Sequence, residues 1–240
     1  LWNIIGNTND MRLHSVLNFI TPEVFDDFIK SFVEKNELIW VPVMQSKKVA
    51  FVKILLDNEY NVNSNSGYPL TFALMTKDIV MAKFLLDNGA NPNLFCIEGN
   101  NQHPLLYLID DDQVQLIKMI CDHPNFTGSI DHNAILEAVV KSDKNNFDLL
   151  NYFVSHGIRL SPNYTVDQIT GAITYTDNAL TIAMTDKNYA VVELLLNNGG
   201  DEHLEYLLSY AIELGNMRMV KKFVDIGADI NAINSLPLKK

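Results

Sequence analysis

Met81-Ala82-Lys83-Phe84-Leu85-Leu86-Asp87-Asn88-Gly89-Ala90-Asn91-Pro92-Asn93 is the stretch on which the reading of this chain turns. Its apolar residues fall at i, i+1, i+4 and i+5, the inner face of a short amphipathic helix. Gly89 then supplies the left-handed residue that ends a helix. The pattern occurs upstream as Ala50-Phe51-Val52-Lys53-Ile54-Leu55-Leu56-Asp57-Asn58 and downstream as Val191-Val192-Glu193-Leu194-Leu195-Leu196-Asn197-Asn198-Gly199. Weaker copies run over residues 116–122, 149–157 and 219–227.

A second helical core precedes several of these copies. The cores are Tyr68-Pro69-Leu70-Thr71-Phe72-Ala73-Leu74, His103-Pro104-Leu105-Leu106-Tyr107-Leu108-Ile109, Asn178-Ala179-Leu180-Thr181-Ile182-Ala183-Met184 and Tyr206-Leu207-Leu208-Ser209-Tyr210-Ala211-Ile212. Pro69 and Pro104 suit a first helical turn, where no N–H is needed. The unit is therefore helix, tight turn, helix, loop. Its anchors on the second helix are Leu55, Leu85, Ile120, Phe153, Leu195 and Phe223, spaced by 30, 35, 33, 42 and 28 residues. These spacings scatter around about 33 residues, the period of one class of helical solenoid.

The residues resemble the ankyrin repeat. Leu85 to Asn93 and Phe223-Val224-Asp225-Ile226-Gly227-Ala228-Asp229-Ile230-Asn231-Ala232 match the second half of that repeat, Leu-Leu-x-x-Gly-Ala-Asp-Val-Asn. Tyr68-Pro69-Leu70-Thr71-Phe72-Ala73 matches its first half, Thr-Pro-Leu-His-x-Ala, with Tyr for Thr and Thr for His. The resemblance covers roughly residues 38–238 and implies an all-α ankyrin-repeat solenoid of about six helix-turn-helix repeats with short hairpin fingers. An irregular helical bundle and other helical solenoids are the rival readings, and the Gly-Ala-Asn/Asp-x-Asn tail favours ankyrin. Residues 1–37 read as a helical N-terminal cap or degenerate repeat. Within them Thr21 and Pro22 open a helix running to about Glu34. Residues 38–240 read as the repeat domain, with the last repeat cut short at Ser235-Leu236-Pro237-Leu238. The chain opens at Leu1 without Met, and both ends read as cut from a longer protein.

Departures from the period are individual features. The loop between Gly157 and Leu180 is long and rich in Thr, Ile, Val and Tyr around Gly171, which predicts an extended hairpin. The finger Asp201-Glu202-His203 is nearly absent, and the turn 142–146 is about three residues long for the pattern.

A net charge of −11 and the lack of any Lys/Arg cluster argue against nucleic-acid binding. No apolar run reaches the roughly 18 residues of a membrane span. Cys96 and Cys121 offer neither a disulfide framework nor a zinc spacing, and a reducing compartment fits them. No phosphate loop, nucleophile elbow or metal-binding His pair occurs, so no catalytic, cofactor or metal residue is expected and the segment reads as a non-enzyme. Cys121 and His123 lie two apart and do not share a helix face. Cys121 reads as core, and His103 as a satisfied residue at a helix start.

The resemblance implies that a partner protein binds the concave face, at and after the C-terminal end of each first helix. Carried onto this chain, those positions are Met75 and Thr76, Asp110 and Asp111, Thr185 and Asp186, and Glu213 and Leu214; Gln168 and Thr170 of the long finger join them. The set is acidic with some apolar surface, which calls for a partner of basic or mixed basic and apolar character. Plain hydrophilic turns are the alternative. The resulting expectation is a monomeric, cytoplasmic protein–protein interaction scaffold without cofactor. The alternative function is the substrate-targeting region of a larger enzyme. The Asn content and ragged repeats resemble ankyrin proteins of AT-rich intracellular bacteria, large viruses and protists. A bacterial effector acting in the host cytosol is one such reading. Asn231 also fits the setting in which finger asparagines of the family are hydroxylated, with a hairpin-stabilising role as the plainer reading.

Overall fold

The computed structural model describes residues 16–32, 35–95, 103–128, 131–142, 147–160, 164–166, 173–175, 178–200 and 204–231. The described helices fall into two compact units, residues 1–129 and 130–240.

The stretch around Leu85 forms the helix Ile79–Asp87, α5 in chain order. Met81, Ala82, Leu85 and Leu86 are buried, as the i, i+1, i+4, i+5 pattern requires. Asp78 caps the start, its Oδ1 accepting the Met81 N–H at 2.9 Å. At the other end Gly89 has φ +87°, and the Ala90 N–H donates to the Leu85 carbonyl at 3.0 Å. The same closing bond runs from Tyr60 to Leu55, Ile158 to Phe153 and Ala228 to Phe223. Each satisfies a helix-end carbonyl that has no partner inside its helix.

Unit one contains α1 (Pro22–Lys30), a 3-10 turn (Glu37–Ile39), α2 (Trp40–Gln45), α3 (Val49–Asp57), α4 (Ser64–Met75), α5, α6 (Pro104–Asp110) and α7 (Val114–Cys121). Like stacks on like: α2 packs on α4 and α4 on α6, while α5 packs on α7. In α1 the helix stops at Lys30, short of the Glu34 expected, where the Ser31 hydroxyl donates to the Phe28 carbonyl at 2.5 Å. This helix packs on α3, with the Phe25 and Phe51 rings 4.8 Å apart and both buried. Helix α4 is interrupted by Asn65, Ser66 and Gly67, all left-handed, so regular helix starts at Tyr68 and Pro69 takes a first-turn place.

Unit two contains α8 (His132–Lys141), α9 (Phe147–Ser155), strands β1 (Tyr164–Val166) and β2 (Ile173–Tyr175), α10 (Ala179–Thr185), α11 (Tyr189–Leu195), α12 (Leu204–Glu213) and α13 (Met217–Asp225). Here α8 packs on α10, α10 on α11 and α12, and α12 on α13. The strands pair antiparallel with Tyr164 opposite Tyr175, inside the long Thr/Ile/Val-rich loop. Asn178 and Thr181 form a reciprocal cap at the start of α10. After α8, Ser142 is extended, unlike the residues that follow the other first helices. The rest of that turn, Gln168, Thr170, the finger 201–203 and the chain from 232 lie outside the described residues. Among the described residues each unit is all-α apart from the short hairpin of unit two.

Two Asn side chains tie successive loops together. Asn63 donates to the Gly89 carbonyl at 3.1 Å and accepts the Asn91 N–H at 2.7 Å. Asn93 donates to the Asn125 carbonyl at 2.6 Å and accepts the Thr127 N–H at 2.8 Å. Each stands eight residues after its anchor, Leu55 or Leu85.

Candidate functional site: the row of inter-helix turns

The turn from first to second helix has one construction wherever it is described. The residue eight before the anchor is left-handed: Lys47, Lys77, Asp112, Lys187 and Gly215, with φ between 55° and 63°. The next N–H then reaches back to the first helix, as in Asp78 to Ala73, Gln113 to Leu108, Asn188 to Ala183 and Asn216 to Ala211. This reversal ends the first helix in four of five cases without glycine. It projects the two preceding residues, which are the expected partner-binding positions, at the mouth of each turn.

In unit one Met75 is 48% exposed and Asp110 and Asp111 are exposed, while Thr76 is half-buried. The Thr76 hydroxyl donates to the Phe72 carbonyl at 2.9 Å, closing its own helix. Successive turns are linked: Lys77 Nζ lies 2.9 Å from Asp111 Oδ2. In unit two Thr185, Asp186, Glu213 and Leu214 are all exposed. Thr185 Oγ1 lies 2.9 Å from the Tyr210 hydroxyl, joining α10 to α12. The described members therefore form a row in each unit.

Two features of this row escape the motif comparison. Lysines occupy the left-handed position in three turns, so the surface is mixed in charge rather than simply acidic, and Asp111 is partly neutralised by Lys77. Phe72, Tyr107, Ile182 and Tyr210 are half-buried one helical turn before Met75, Asp110, Thr185 and Glu213. A spacing of three residues puts each pair on one helix face. The signal was in the sequence: the same four residues stand at one register before their anchors.

The groups with altered protonation are structural. His103 caps α6, its Nδ1 accepting the Leu105 N–H at 3.2 Å, and burial lowers its pKa to about 4. A neutral ring is the form that can accept this bond. Burial pushes the half-buried Cys121 thiol up to about 12, far from a nucleophile's range. A cleft beside α1 is lined by Glu23, Asp26, Lys30 and Asp57 among others. Its Asp26 is engaged by Lys30 and by the Asn58 amide, which hold its carboxyl below the usual range. Among the described residues no group of three or more His, Cys, Asp or Glu could hold a metal ion, and no helix is long and apolar enough to cross a membrane.

The described helices are all-α pairs, with one buried anchor on each second helix and left-handed turns between several first and second helices. The chain is similar to putative ankyrin repeat protein L371 of Acanthamoeba polyphaga mimivirus, with 21% identity over 254 aligned residues. The match takes in 96% of this chain and 30% of the relative, so the chain spans less than a third of that protein's length. No protein-family model and no solved structure matches the chain.

Proposed function

We propose that this chain is an ankyrin-repeat scaffold of about six helix pairs that binds a partner protein through its inter-helix turns. The observation that carries the reading is the constant register of those turns, which sets exposed residues of variable chemistry on an invariant frame. A prefolded frame loses little conformational entropy on binding, so variable side chains can be spent on recognition. The partner's complementary surface offers apolar groups to Met75, Phe72 and Tyr107, and basic groups to Asp110. In unit two the corresponding anchors are Leu214 and Tyr210, with Asp186 and Glu213 for charge.

No catalytic role is assigned to this segment, and the free Cys121 accords with a reducing, cytoplasmic setting. The length of the relative favours one second reading, that these helix pairs target a larger polypeptide with another activity. The relative comes from a large virus, and nothing in the comparisons supports the bacterial-effector reading.

Site-specific photo-crosslinking in the native cell tests the proposal. A photoreactive residue at Met75 or Glu213 is expected to capture one discrete protein. The same group at the exposed Val80 is expected to capture none. Equal capture from all three positions, or none from any, contradicts it.

A further inference from the structure

Three second helices close on the same side-chain bond. The asparagine three residues after the anchor donates its amide to the carbonyl four residues back: Asn58 to Ile54 at 2.9 Å, Asn88 to Phe84 at 2.7 Å and Asn198 to Leu194 at 2.7 Å. Asn58 is followed by Glu59, whereas Asn88 is followed by Gly89. Asn88 and Gly89 are both exposed, and a Cβ on Gly89 would meet nothing within 4 Å. An asparagine before glycine carries a reaction that needs no enzyme. The backbone nitrogen of the glycine, with no side chain beside it, attacks the asparagine Cγ.

The closed end of α5 holds that reaction off. Asn88 has ψ 23°, which turns the Gly89 nitrogen almost onto the Asn88 nitrogen and away from Cβ. Ring closure needs the opposite rotation. That rotation is opposed at both ends of Gly89. Its N–H donates to the Leu86 carbonyl at 3.1 Å. Its carbonyl accepts the Asn63 amide of the preceding loop at 3.1 Å, and Asn63 is itself fixed by the Asn91 N–H at 2.7 Å. Swinging Gly89 into the reactive position breaks both bonds, and the Asn88 amide must also leave Phe84.

We propose that Asn88 is a deamidation site gated by the Asn63 link between successive loops. When the last turn of α5 and that link open, hydroxide takes the Gly89 N–H proton and the nitrogen bonds to Asn88 Cγ. The Cγ–Nδ2 bond breaks, and ammonia leaves with a proton from water. Water then opens the resulting succinimide to aspartate or isoaspartate. Both products lose the donor to Phe84 and place a carboxylate at the negative end of the helix dipole, beside Asp87. The change is irreversible, so it accumulates with time spent open and weakens the joint between two helix pairs. The inference rests on unit one alone and is independent of any partner protein.

Peptide mass spectrometry of the purified chain, aged at mildly alkaline pH, tests it. Asn88 is expected to convert about tenfold or more slowly in the folded chain than in the chain unfolded in urea. Asn63→Ala is expected to speed conversion in the folded state roughly threefold or more, the factor that one lost hydrogen bond gives. Asn58, in the same cap but before Glu59, is expected to stay unconverted throughout. Equal rates in the folded and unfolded chain overturn the proposal, as does the absence of conversion at 88 in either. Conversion at Asn58 that matches Asn88, or an unchanged rate in Asn63→Ala, overturns it too. Should Asn63→Ala not fold, Asn63→Asp keeps the acceptor for the Asn91 N–H and removes the donor to Gly89. The same acceleration is expected there, and an unchanged rate overturns the proposal.

Discussion

Gly67 shows how tightly single residues are held between neighbouring pairs. Its φ is +83°, and a Cβ placed on it would overlap the Leu94 carbonyl oxygen in the next loop. Gly67→Ala therefore meets both left-handed strain, about 1–2 kcal/mol, and a backbone collision. The expected loss is about 3 kcal/mol or more in urea unfolding, where Gly89→Ala, with open space around it, loses roughly 1. His103 gives a pH signature. Its folded pKa, about 4, lies below the unfolded value of about 6.5, so the contribution is complete above 6.5 and is lost as pH falls toward 4. The loss is on the order of 2–3 kcal/mol. In His103→Asn, which keeps a capping side chain, stability is expected to fall less steeply between pH 6.5 and 4 than in the unchanged protein. Parallel curves would assign that slope to other groups.

At the scale of the element, the loop asparagines differ in what they bond: Asn93 reaches the following loop, whereas among the described residues Asn231 bonds within its own. Asn93 makes bonds to two backbone groups of the following loop, and its truncation leaves both without that partner. Asn93→Ala is expected to cost about 1–3 kcal/mol. Asn231→Ala in the 240-residue chain is expected to fall within about 0.5 kcal/mol of neutral, as for an exposed residue. Denaturant midpoints of the two variants at equal slope check the contrast. Elements were also the scale at which the sequence was most legible. Paired anchors, Pro69 and Pro104 in first turns, and Gly after the second helix each follow from local backbone chemistry. The left-handed residue between the helices was not legible at Lys47, Lys77 and Lys187. Lysine carries no preference for that conformation, and tertiary packing imposes it. The break at Asn65 to Gly67 was hidden for a similar reason: a close approach to Leu94 dictates it, and Leu94 lies far along the chain.

Within each unit, first helices contact the first helices of neighbouring pairs, so stability there is expected to be a sum of local terms more than a single global core. Leu85→Ala and Leu195→Ala, one buried anchor in each unit, are expected to cost about 2–5 kcal/mol each and to combine additively. The period and the candidate binding row were both readable from the anchors. The mixed charge of the row was not, because it depends on which residue turns left-handed and on the Lys77–Asp111 pair. The claim that most needs testing is that the turns bind a partner. Titration calorimetry of the crosslinked partner against the unchanged protein, Met75→Asp and Asp110→Lys measures it directly. The account predicts a weakening of tenfold or more for each variant with unfolding midpoints unaltered. Identical affinities for all three proteins would contradict it.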